Sequence, residues 1–148
     1  YVKIPITNTK KESSISLIKN LAKNNIKLNI TAIMTLDQVK SVVSVLNHET
    51  PSIISVFAGR IADTGRDPLP VMKESLNIMK KNTKSELLWA SSRELLNIFQ
   101  AEEIGCHIIT VTKDIISKLK FIDYDLSKYS LDTVKGFYND ALDAKFKI

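Results

Sequence analysis

Short apolar runs alternate along the chain with longer segments that are apolar on one side only. The runs are Tyr1–Ile6, Leu28–Ile33, Ile53–Ala58, Leu87–Ala90 and His107–Val111. Each is rich in β-branched or large apolar residues and bounded by polar ones, which predicts strands buried on both faces. The intervening segments repeat apolar residues at helical spacing. Ile15, Leu17, Ile18, Leu21 and Ala22 stripe the first, and Leu36, Val39, Val42, Val43 and Leu46 the second. Leu69, Met72, Leu76 and Met79 stripe a third, which follows Pro68 and Pro70. Two sequences have capping-box form, Thr9-Lys10-Lys11-Glu12 and Thr35-Leu36-Asp37-Gln38. Ser91-Ser92-Arg93-Glu94 is read as the start of a fourth helix and Thr112-Lys113-Asp114 as that of a short fifth. A last helix is expected from about Ser130, with Leu131, Val134, Phe137, Tyr138 and Ala141 on one side and an apolar end at Phe146 and Ile148.

Five strand–helix alternations and a terminal helix predict a parallel α/β architecture with right-handed crossovers. With no Pro/Ser-rich linker, residues 1–148 read as a single domain. Two folds fit. A flavodoxin-like open sheet of five strands suits the length. A closed (β/α)8 TIM barrel needs eight units, so this chain would supply about the last five plus a C-terminal helix, with three units preceding Tyr1 or coming from another chain.

Composition narrows the function classes. The chain has 148 residues, of which 44% are hydrophobic and 25% charged, enough to fill a core and unlike a disordered tail. Its formal net charge of +5 fits either an anionic ligand or a weak nucleic-acid surface; its lysine pairs lack interleaved aromatics and read as solvated face, so no nucleic-acid partner is expected. The absence of a long apolar stretch and of a signal segment predicts a cytoplasmic protein with no membrane partner. Cys106 is the single cysteine, which excludes a disulfide scaffold. The chain opens at Tyr1, without Met and inside an apolar run, so an upstream segment is expected.

In either fold the site belongs at the carboxyl ends of the strands. Lys3 stands in the first, flanked by Val2, Ile4, Pro5 and Ile6. Burial there favours a neutral amine able to attack a carbonyl and form a Schiff base. The strand alone favours the other reading, an edge lysine that points to solvent. Arg60 and Arg93 each follow a strand end, and Ser91 precedes a helix start; together they would suit a phosphate. Either arginine could instead pair with Asp63, Asp67 or Glu94. The Arg60–Pro68 connection is the longest and reads as a mobile flap. Nucleotide-phosphate loops and the serine-hydrolase elbow are absent from the sequence. His48, Cys106 and His107 do not make a metal set, because adjacent Cys106 and His107 project to opposite faces of a strand.

These residues resemble the carboxyl-terminal part of the transaldolase family, which includes the fructose-6-phosphate aldolase branch. Val2-Lys3-Ile4-Pro5-Ile6-Thr7 is similar to the family's Schiff-base lysine strand, and Leu28-Asn29-Ile30-Thr31-Ala32-Ile33 to its next strand. Phe57-Ala58-Gly59-Arg60-Ile61-Ala62-Asp63 resembles its F-x-G-R-I-x-D segment, and Ala90-Ser91-Ser92-Arg93 its phosphate corner, where Ser92 replaces the usual Phe. The resemblance implies an eight-stranded barrel with class I aldolase chemistry. Catalysis would fall to Lys3, the imine-forming nucleophile, and Thr31, which with Asn29 would hold a water and sugar hydroxyls. Phe57 would border the pocket, and Arg60, Ser91 and Arg93 would bind a sugar phosphate. No metal or organic cofactor is implied. Small family members form rings through terminal helices, so the expected partner is a second copy of the chain, or a second polypeptide that closes the barrel. In the family the first three βα units carry an Asp, an Asn and a Glu or Gln used in donor binding and proton transfer, so 1–148 alone is expected to be inactive. The competing expectation is a non-catalytic phosphosugar-binding or interaction domain on a degenerate, incomplete barrel.

Overall fold

A computed structural model of the chain describes residues 1–82 and 84–146. Five strands, β1 (Val2–Pro5), β2 (Leu28–Ile33), β3 (Ser52–Val56), β4 (Ser85–Trp89) and β5 (Ile108–Ile109), form one parallel sheet in the order β1-β2-β3-β4-β5. Every strand therefore pairs with its neighbour in sequence. A flavodoxin-like sheet reverses direction after its first strand, whereas a barrel wall adds each strand on the same side of the last. The sequential order is that of a barrel arc.

That order fixes where the helices go. A right-handed crossover repeated in one direction carries every connecting helix to the same face. The helices are α1 (Ile15–Lys23), α2 (Leu36–Val43), α3 (Ala58–Ala62), α4 (Leu69–Met79), α5 (Leu96–Glu103), α6 (Lys113–Ser117) and α7 (Leu126–Asp143). One core cluster joins Ile18, Val39, Val42, Met72 and Ala101 of the helices to alternate strand residues Ile4, Ile30, Ile54, Leu87 and Trp89. Side chains alternate faces along a strand, so the residues between these, including Lys3, Asn29, Ser55 and Leu88, face the opposite, concave side. Burying an aliphatic side chain of this size contributes roughly 1.5–3 kcal/mol, which ties the helix layer to the sheet.

Several local expectations change. Thr35 caps α2 in a complete capping box, its Oγ1 accepting from the Gln38 N–H while Gln38 reaches back to the Thr35 N–H. Thr9 caps nothing. The segment before α1 is a loop organised by Asn8, whose Oδ1 accepts from the N–H groups of Lys10 and Glu12 and whose amide donates to the Glu12 carboxylate. Leu17, placed on the α1 core stripe, is exposed; only Ile18 and Ala22 of that helix are buried. The fourth helix begins at Leu96 rather than near Ser91, because Asn97 Oδ1 takes the N–H groups of Arg93 and Glu94 and holds the preceding turn outside the helix. α7 begins at Leu126, capped by Asp125, rather than at Ser130. None of its described residues is buried, and Leu131, Val134, Phe137 and Phe146 stand exposed. Ile148 lies outside the described residues.

Thr35→Ala removes one half of a working capping box and should lower unfolding free energy by about 1 kcal/mol. Thr9→Ala, in a loop that Asn8 organises, should change it by less than about 0.5 kcal/mol. Urea unfolding of the two variants checks this pair, and equal losses would contradict the assignment of the caps.

Candidate functional site

At the carboxyl ends of the strands the concave face forms a hollow of about 280 Å³. Lys3 of β1, Asn29 and Thr31 of β2, and Ser55 of β3 line it, with Phe57 and Ser91 from the turns that follow β3 and β4. The backbone ladder extends past the strands to hold these turns: the Phe57 N–H donates to the Ile33 carbonyl at 2.8 Å and the Ala90 N–H to the Val56 carbonyl at 2.8 Å. Five of the seven residues singled out in the sequence, Lys3, Asn29, Thr31, Phe57 and Ser91, thus share one surface. Arg60 and Arg93 do not line it.

Register brings Lys3 and Asn29 side by side, since they are paired positions across β1 and β2. Asn29 is oriented by a residue the sequence pattern did not single out. Buried Ser55 donates from Oγ to Asn29 Oδ1 at 2.7 Å, which leaves the Asn29 NH2 to face the hollow as donor. A serine inside an apolar strand was the available signal. Thr31, which lines the hollow, has its Oγ1 buried with no hydrogen-bond partner among the described residues. Lys3 itself is exposed, because β1 is the edge strand of this sheet, so the desolvation expected of it is not met within the chain.

Two residues on this rim occupy the left-handed region without being glycine: Ala32 at φ +61° and Ser91 at φ +64°. Such conformations cost of order 1–3 kcal/mol and persist where surrounding structure imposes them. Ala32 is a bulge. Ile30 pairs with Ile54 and Ile33 with Val56, so three steps on β2 match two on β3. The extra residue returns Ile33 to the helix-facing core while Thr31 stays on the concave side. Ser91 is held by α3: the Gly59 N–H donates to the Ala90 carbonyl, and a Cβ on Gly59 would overlap the Ser91 carbonyl oxygen and approach its carbonyl carbon to 2.7 Å. Only glycine permits that approach.

The arginine corner differs from expectation. Arg93 grips Asp63 with a two-pronged contact, Nε to Oδ1 at 2.9 Å and Nη2 to Oδ2. The helix-start amides expected to help bind a phosphate are already taken, since Asn97 accepts from Arg93 and Glu94. Arg60 sits in α3 and forms no ion pair among the described residues, but its charge adds to the field on Asp63. The Arg60–Pro68 connection is not an open flap: Arg60 to Ala62 are helical, the Thr64 hydroxyl donates to the Ile61 carbonyl, and Asp67 accepts from the Leu69 N–H. Ser92 is buried and donates to the Thr110 carbonyl at 2.8 Å. Burial pushes the Cys106 thiol pKa up, which disfavours the thiolate form. No three His, Cys, Asp or Glu side chains come together as a metal-binding set among the described residues.

The model of the Transaldolase/Fructose-6-phosphate aldolase family matches residues 1–147. The chain belongs to this family. It is 27% identical over 141 residues to a probable transaldolase of Thermoanaerobacter sp. (strain X514), covering 95% of the chain and 61% of that protein. It is 25% identical over 133 residues to a probable transaldolase of Nitrosopumilus maritimus (strain SCM1), covering 88% and 55%. A probable transaldolase 2 of Listeria monocytogenes serovar 1/2a (strain ATCC BAA-679 / EGD-e) is 30% identical over 119 residues, covering 80% and 51%. The chain thus spans between about half and three-fifths of the length of these relatives. Within the transaldolase family frame, the sequential five-stranded arc is part of a TIM barrel wall, and the hollow lies at that wall's carboxyl end.

The Asp63–Arg93 pair sets a pH dependence. Hydrogen bonds from Arg93, with the charges of Arg93 and Arg60 behind them, hold the Asp63 carboxyl below its ordinary 3.8. A lowered folded value means the pair's contribution to stability is complete above pH 3.8 and is lost as pH falls through the lower folded value. A carbon-13 carboxyl titration should place the Asp63 midpoint below 3.8, and Arg93→Gln should return it to the ordinary range. Identical midpoints in the two proteins would remove the pairing.

Proposed function

We propose that the chain is the lysine-bearing part of an enzyme that transfers a dihydroxyacetone unit between sugar phosphates, or releases it, through a Schiff base on Lys3. The observation that carries this reading is the convergence of Lys3, Asn29, Thr31, Phe57 and Ser91 on one hollow at the carboxyl end of a barrel arc. The family suggests sugar-phosphate aldol chemistry, and the arrangement of side chains suits it.

The Lys3 Nζ lone pair adds to the C2 carbonyl carbon of a ketose, and loss of water leaves a protonated imine. The C4 hydroxyl gives up its proton as the C3–C4 bond breaks. Its electron pair moves into the imine, which becomes an enamine, and C4 leaves as the aldehyde of a shortened aldose. The enamine then adds to the aldehyde carbon of an acceptor, and water hydrolyses the new imine to free Lys3. To Thr31 we assign the water used in imine formation and hydrolysis, and to the Asn29 amide a sugar hydroxyl; the unpartnered Thr31 hydroxyl and the Ser55–Asn29 hydrogen bond support these roles. No carboxylate lines the hollow among the described residues, so the base that takes the C4 proton comes from polypeptide beyond this surface. The same polypeptide, lying past edge strand β1, would supply the cover that dries Lys3.

The phosphate of the acceptor would lie beyond Ser91, toward Arg60 and Arg93. A dianion arriving there competes with Asp63 for Arg93 and meets Arg60 without an ion-pair partner among the described residues. We place the reaction in the cytoplasm, without metal, organic cofactor or nucleic acid. No described helix is long and apolar enough to cross a membrane. The partner is a second copy of the chain or a second polypeptide that closes the sheet, and the exposed apolar side of α7 supports such an association.

Borohydride reduction of the protein in its completed assembly, with fructose 6-phosphate present, should attach a sugar-derived unit irreversibly to Lys3, as read by peptide mass. Lys3→Met should abolish trapping while leaving sugar-phosphate binding within about threefold, because the phosphate contacts remain. Label on another lysine, or binding without any trapping, would replace this reading with that of a non-catalytic phosphosugar-binding domain.

A further inference from the structure

The densest group of unsatisfied buried polar atoms lies at the other end of the sheet, below the start of β4. Asn82 is 1% exposed, and neither its Nδ2 nor its Oδ1 has a hydrogen-bond partner among the described residues. Ser85 Oγ is buried and equally unpartnered. A carboxamide with both functions unmet is costly in a folded protein and calls for a partner that the described polypeptide does not supply. Both residues line a hollow of about 400 Å³. One water occupies roughly 30 Å³, so the space exceeds what a bridging water needs.

The walls have two characters. Leu76 and Met79 of α4 and Ile104 after α5 give an apolar side. Lys80 and His107 give a donor side, and no carboxylate is among the lining residues. His107 Nδ1 accepts from the Leu87 N–H at 3.0 Å, so the neutral ring carries its proton on Nε2, as a donor. Gly105, at φ +72°, has nothing within 4 Å of where a Cβ would stand, so no side chain closes this part of the wall. The lining side chains thus bring donors, the Lys80 ammonium, the Asn82 NH2 and the Ser85 hydroxyl among them, and no carboxylate.

We propose that this hollow binds a small organic anion, its carboxylate or phosphate head held by Asn82, Ser85 and Lys80 and its short carbon chain lying against Leu76, Met79 and Ile104. The site is separate from the Lys3 hollow. Ser85 opens β4 and Ser91 lies in the turn beyond its other end, and the strand between, Ser85 to Trp89, is itself about 13 Å long.

The test uses butyrate and glycerol 3-phosphate as probes of the two head groups, read by the nitrogen-15 shift of the Asn82 side-chain amide in the purified protein. A saturable shift with a dissociation constant of about 1 mM or tighter for one probe is expected, and that probe names the head group. Lys80→Gln, a surface change that should not disturb folding, should weaken binding about tenfold. Asn82→Leu should abolish binding, as read by calorimetry, and Lys3→Met should leave it unchanged. Shifts that stay linear to about 10 mM for both probes, binding equal in Lys80→Gln, or binding lost in Lys3→Met would each overturn the proposal.

Discussion

Each strand of this sheet pairs only with its sequence neighbours, in parallel, and that constraint decides everything else about the molecule. Parallel partners need a crossover, and the crossover's fixed hand sends each helix to the same side. One face is then sealed by the helix layer, so alternate strand positions must be apolar. The positions between them are released from that requirement. Lys3, Asn29, Thr31 and Ser55 can occupy them without spending core stability, and the register of the sheet gathers them.

Gathering alone does not orient. Orientation comes from a few contacts where the backbone departs from ideal geometry. The bulge at Ala32 lets β2 gain a residue just before its end, and the Gly59 approach clamps the Ser91 turn against α3. Both bring a left-handed, non-glycine residue to the same rim. Strain concentrated at the rim of a regular sheet is paid for by the packing beneath it, in the core around Ile30, Ile54 and Trp89.

The strands were legible because they are apolar runs of β-branched residues; β2 matches its predicted bounds, Leu28–Ile33. The side-chain constellation was legible through family motifs, since no spacing rule links Lys3 to Ser91. What escaped was decided by particular polar side chains. Thr9 and Thr35 open the same four-residue pattern, but Asn8 captures the backbone around Thr9 first and keeps it a loop. Asn97 delays α5 in the same way. Leu17 obeyed the helical period yet falls outside the narrow strip that α1 buries. Local side-chain-to-backbone bonds compete with helix initiation, and a single sequence does not say which competitor wins.

The arginine corner shows why that competition also matters for chemistry. Two guanidinium groups near one point repel, and without an anion between them they would splay apart. Asp63 serves as that anion: it binds Arg93 directly and lies within the field of Arg60. A carboxylate carries one charge and grips the fork in its plane, so it holds the arginine in a geometry that an incoming phosphate can also use. A phosphate monoester brings more charge and more acceptor oxygens than the carboxylate it competes with. On the proposed function, exchange would favour phosphorylated ligands over neutral sugars, which would leave the carboxylate in place. Because Asp63 and Arg93 are both about half exposed, water screens their attraction, and the pair can open without the penalty of stranding a buried charge. On the proposed function, a corner built this way would discriminate by charge, with Asp63 holding Arg93 in position when no phosphate is bound.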